Sequence, residues 1–147
     1  MNVKATEGSA RLQDLSNGAV HQVARFYAAA EATIHGCRVD ASAPRTRLTI
    51  NGKVVQVLSR RKGGAWQTDR KPAIIEDAGA VIFVDFAPDT PAFYVVPAKQ
   101  AQDDIEARQQ QLKDRHGGER PRNPDTNHSE IKLEHIRQWR DRWDLLD

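Results

Sequence analysis

The sequence predicts an α/β (α+β) fold: a mixed central β-sheet with an N-terminal helix packed on it, a β-hairpin at 47–60 and two C-terminal helices. Three patterns carry that expectation. An apolar stripe of helical period precedes the first strand, an Asn-Gly pair separates two alternating runs, and a helix opened by proline follows the last long apolar run. At 147 residues the chain is long enough to bury a core, and one domain, 1–147, is expected.

Residues 1–15 are expected to form a flexible N-terminus. Val20, Val23, Ala24, Tyr27, Ala28, Glu31 and Ile34 then recur at a spacing near 3.6 residues and predict a helix over 17–36. Ser16 or Asn17 caps its start and Gly36 suits its end. The stripe belongs against the sheet, with His21 facing solvent near the helix start. Segments 37–41, 47–50 and 53–60 read as strands, the last two joined by Asn51-Gly52, because both residues tolerate the positive φ of a type I′ turn. Alternation sends Val55, Val57 and Ser59 to one face and Val54, Gln56, Leu58 and Arg60 to the other. Two more strands, 80–86 and 92–96, flank the turn Pro88-Asp89-Thr90-Pro91. The run Val81 to Val84 predicts a central strand buried on both faces. Pro97 opens a helix to Arg115, stopped by Gly117-Gly118, whose thin stripe Ala98, Ala101, Ile105 and Leu112 leaves most of it in water. Residues 117–129 hold two prolines and no periodicity and read as a long irregular loop. Ile131 and Leu133 fit a short strand, and Ile136, Trp139 and Trp143 mark a last helix through Asp144.

Composition narrows the function classes. With 39% hydrophobic and 29% charged residues, the chain is globular rather than disordered. No apolar run approaches the roughly 18 residues that cross a bilayer, so no membrane partner is expected. The first ten residues lack a secretory pattern, and one cysteine, Cys37, excludes an internal disulfide, so the expected location is cytoplasmic. Cysteine zinc sites are excluded, the five histidines lack metal-ligand spacing, and neither a phosphate-binding glycine loop nor a Gly-x-Ser-x-Gly elbow occurs. The net charge of +2 hides an asymmetry: residues 38–71 hold nine basic and two acidic residues, and residues 72–106 hold one basic and seven acidic. Such a basic block attracts phosphate, or is a solvated edge balanced by the acidic block beside it.

The segments VVQVLSRRKGGAWQ, DFAPDTPAFYVVPAK and WRDRWDLL resemble small PD-(D/E)XK nuclease-like proteins, including Holliday-junction-resolvase-like and restriction-endonuclease-like relatives, over roughly residues 17–147. The resemblance implies a helix on a mixed sheet whose hairpin carries an Asp and then a (Glu/Gln)-x-Lys. There the carboxylates hold magnesium and the lysine assists phosphodiester hydrolysis. In this chain the second motif falls on Gln56-Val57-Leu58, the Asp position on about Arg47, and a helix carboxylate used by some members near His21. Arg47 repels a cation and Leu58 carries no charge, so the resemblance implies a degenerate active site with no cofactor, magnesium entering only if residual cleavage exists. Asp40 and Asp85 are the candidates for displaced metal ligands.

The basic surface around that site remains. Arg45, Arg47, Arg60, Arg61, Lys62, Arg70 and Lys71 offer phosphate contacts, Trp66 a stacking face, and Arg120 and Arg122, with Asn123 and His128, further contacts from the loop. The bland readings are a solvated strand end for Arg60 to Lys62, a connector for the loop, and a core position for Trp66. The leading expectation is a catalytically degenerate nuclease-like domain that binds DNA or structured nucleic acid, in a microbial defence, repair or mobile-element setting. The alternative is a protein-interaction module, an inhibitor or immunity factor presenting its acidic 76–106 surface. The third is an active nuclease using Asp40 or Asp85. A homodimer is compatible with each.

Overall fold

The computed structural model describes residues 12–43, 46–68, 72–115 and 129–147. Arg45, Arg70, Lys71, Arg120 and Arg122 lie outside them, as do residues 1–11 of the expected tail and 117–128 of the expected loop. The fold is mixed α/β, with an N-terminal helix, a mixed five-stranded sheet and C-terminal helices.

Helix α1 (Asn17–Ile34) begins where the Ser16 hydroxyl accepts a hydrogen bond from the Ala19 amide at 3.1 Å, satisfying one first-turn donor. It ends at Gly36, whose φ of +87° favours a residue without a Cβ. Ala24, Ala28 and Ala32 line its inner stripe and are fully buried, so the helix backbone lies close to the sheet. Between them the buried Arg25 donates to the carbonyl of Arg47 at 2.8 Å and to those of Ala41 and Ala43. One guanidinium therefore satisfies carbonyls around the start of the hairpin and ties them to the helix.

The strands are β1 (Val39–Asp40), β2 (Arg47–Ile50), β3 (Lys53–Arg60), β4 (Trp66–Thr68), β5 (Ala80–Asp85), β6 (Ala92–Pro97) and β7 (Ser129–Ile131). The main sheet has the order β1-β2-β3-β5-β6, with β3 parallel to β5 and the other neighbours antiparallel. Asn51 at φ +50° and Gly52 at φ +81° make the expected turn between β2 and β3. Every residue of β5 is buried, as its apolar density predicts for the strand between β3 and β6. β4 and β7 form a separate two-stranded ribbon.

Alternation along the strands divides the core into two layers. Leu48, Ile50, Val55, Val57, Ile82, Val84 and Val95 face α1, while Leu58, Val81, Phe83, Tyr94 and Val96 face Trp66, Ile74 and helix α2 (Ala98–Arg115). The chain end departs from expectation. In place of a helix through Asp144 it forms the turn α3 (Leu133–Ile136) and two 3₁₀ turns, Arg137–Trp139 and Trp143–Leu146. The edge of β6 causes the break: Arg140 bridges to Tyr94, and Asp141, at φ +54°, donates its amide to the Phe93 carbonyl at 3.0 Å. Trp139 and Trp143 consequently do not share a helix face. Trp143 enters the α1 layer and Trp139 packs on the other.

Candidate functional site

The hairpin brings Arg47 and Gln56 into register, and the chain then covers Gln56 while Arg47 stays part-exposed. Gln56 is buried, its amide nitrogen donating to the Ala73 carbonyl at 3.3 Å and its oxygen accepting from the Ile75 amide at 2.8 Å. Leu58 is buried in the layer that holds Trp66, Ala73 and Ile74. Arg47 pairs with Asp77 at 2.9 Å. Segment 73–77 thus lies over Gln56 and Leu58, with the Gln56 amide as its anchor, and meets Arg47 at the surface.

The displaced-ligand candidates are not brought together. Asp40 sits on the exposed edge strand β1, where hydrogen bonds from Ser42 hold its carboxyl below the usual range. Asp85 lies on β5, with β2 and β3 between the two strands, so it does not stand beside Asp40. The Asp85 carboxylate is buried and fully engaged: it accepts from Arg60 Nε at 2.9 Å and Nη2 at 2.8 Å, and from the Ala87 amide at 2.9 Å. A magnesium ion needs several free oxygen ligands, and these residues do not fit one. Among the described residues no group of three or more His, Cys, Asp or Glu side chains is arranged to hold a metal.

The expected nucleic-acid contacts divide. Arg60 belongs to the core: beside its pairing with Asp85 it donates to the Gly64 carbonyl, and its guanidinium lies 4.3 Å from the centre of the Trp66 indole. Trp66 is fully buried, donates Nε1–H to the Val84 carbonyl at 3.0 Å and meets Phe83 and Tyr94 edge-on. It is a core residue and not an exposed stacking face. Arg61 donates to the carbonyls of Leu12, Gln13 and Leu15 and to Asn17 Oδ1. Lys62 is exposed and has no ion pair or hydrogen bond with a described residue.

Beyond β3, on the α1 side of the sheet, a cavity of about 270 Å³ opens between the helix start and the chain leaving the strand. Asn17, Val20 and His21 form one wall; Ser59 to Gly63, with Ala65 and Gln67, form the other. His21 is half-buried rather than solvent-facing, with Nδ1 2.9 Å from Ser59 Oγ. Burial, and then the charge of Arg61, push the His21 pKa below its ordinary value, so the ring is held neutral. Arg61 reaches His21 with its charge because its hydrogen-bond acceptors are neutral carbonyls and an amide, whereas Arg60 is neutralised by Asp85. None of the described lining residues is acidic.

No family model, curated protein or solved structure matches the chain. His21 and Ser59 were outside the expected contact set, although each left a trace in the sequence. Ser59 is the last residue of β3 on the face alternation assigns to α1, and His21 flanks the inner stripe one turn into the helix.

Proposed function

We propose that the chain is a nuclease-like α/β domain that no longer cleaves and binds nucleic acid at the cationic end of its sheet. The observation that carries this reading is the cavity between α1 and β3, where Arg61 and Lys62 stand without an acidic residue among the described lining. The helix on a mixed sheet and the Arg47–Gln56 register support the nuclease-like resemblance, and the burial of Gln56 and Leu58 supports loss of magnesium chemistry. The acidic 76–106 surface favours an inhibitor less. Asp77 is paired with Arg47, Asp85 is buried, and Asp103 pairs with Lys99.

The test combines a gel shift with a cleavage assay on labelled duplex, single-stranded and junction DNA and on RNA, with magnesium or manganese, across a salt series. Binding without cleavage is expected. Two uncompensated cations predict a shallow dependence, log Kd rising with log salt at a slope of about 2. Cleavage that depends on metal would return the reading to an active nuclease, and affinity absent at every salt concentration would end it.

A further inference from the structure

Resting on the nucleic-acid reading, we propose that the cavity between α1 and the end of β3 recognises a phosphomonoester, the terminal phosphate of a strand or nucleotide, rather than the internal phosphodiesters of a long duplex. Charge is the first reason. Arg61 and Lys62 bring two positive charges that no described neighbour cancels, while Arg60, on the same strand end, is already neutralised by Asp85. An internal phosphodiester carries one negative charge, whereas a phosphomonoester approaches two at neutral pH because its second pKa is about 6. The terminal group therefore matches the cavity better.

Size is the second reason. About 270 Å³ lies at or below the lower end of the roughly 300–1,000 Å³ typical of small-molecule pockets. Two other basic side chains of the same block are already paired with acids among the described residues, Arg47 with Asp77 and Arg60 with Asp85. Neutral donors are the third. Ser59 and His21, whose Nδ1 lies 2.9 Å from Ser59 Oγ, line the same cavity and offer neutral polar groups to a phosphate oxygen. The start of α1, represented by Asn17 in the wall, adds the positive end of an 18-residue helix. The same features disfavour a Ser59 nucleophile, since burial and Arg61 penalise the imidazolium that a general base must become.

The experiment measures fluorescence anisotropy of one single-stranded sequence in three forms, with a 5′-phosphate, a 3′-phosphate or hydroxyl ends, competed by a mononucleotide and by inorganic phosphate. Wild type is compared with Lys62→Ala, an exposed change without a described partner to lose. One phosphorylated end is expected to bind about tenfold or more tighter than the hydroxyl form, a gap that Lys62→Ala narrows severalfold. Bound phosphate is also expected to move the His21 ring resonances and raise its pKa. Competition by mononucleotide at strand-like concentrations supports a free-nucleotide source, and competition by phosphorylated strands alone supports a strand end. Equal, salt-sensitive affinity for all three forms overturns the inference and leaves nucleic-acid binding standing. Nucleotide binding without strand binding overturns the nucleic-acid reading alone, and no binding of any probe overturns both.

Discussion

Asp85 and Arg60 are charged residues whose burial makes them structural. Their side chains are only 3% and 10% exposed, and the pair is bidentate with the Trp66 ring against the guanidinium. Removing one partner leaves a buried charge uncompensated, so Asp85→Asn is expected to cost about 3–5 kcal/mol in urea unfolding. That loss is expected to be the same with and without magnesium; a loss that magnesium alone brings about would reinstate Asp85 as a ligand. His21 sets a second residue-scale expectation. Its pKa is depressed in the folded protein, so between that value and the ordinary one of about 6.5 the unfolded chain binds more protons. Stability contributed by the neutral ring is complete above about 6.5 and declines as pH falls below it. Thermal unfolding from pH 8 to 5 checks the sign, and His21→Gln is expected to flatten the curve in part. His135, also depressed by burial and then by Arg108, keeps the remainder.

Among the elements, the hairpin was readable because its determinants are local. Asn51 and Gly52 alone supply the left-handed pair, and the alternation on either side fixes which residues face α1. Helix α1 was readable for the same reason, although its buried stripe runs through Val20, Ala24, Ala28 and Ala32 and leaves Tyr27 and Ile34 exposed. The C-terminal segment was not, since its conformation depends on a strand more than forty residues away. Backbone bonding to β6 at Tyr94 and Phe93 stops the helix and turns Trp143 back onto α1, where His35 stacks on it at 5.1 Å. Asn51 and Lys53 then hold the last carbonyls, at 2.9 Å to Leu146 and 2.9 Å to Asp147. The closing turn therefore seals the hairpin end of the core. Trp143→Ala is expected to cost about 3–5 kcal/mol in chemical denaturation, and a cost below about 1 kcal/mol would show that the turn is dispensable.

At the scale of the whole molecule, the basic block of residues 38–71 does not form a continuous groove among its described members. A sequence lists charges but not the faces and depths at which they come to rest. Arg47 and Arg60 meet acids from the following block, Asp77 and Asp85, so two of the excess positive charges cancel across the sheet. Two uncancelled charges stand together at the end of β3, where Arg61 has only neutral acceptors and Lys62 has none among the described residues. No helix among the described residues is long and apolar enough to cross a membrane. By itself the sequence determined the mixed α/β fold, the β2–β3 hairpin, the first helix and the fully buried β5, because apolar period, cap and turn chemistry act over a few residues. Only the tertiary structure decided that Gln56 and Leu58 lie beneath segment 73–77, that Trp66 is interior, and that His21 meets Ser59 across 38 residues. Those contacts join segments distant in the chain, and burial on one face rather than the other is settled only when the whole core closes.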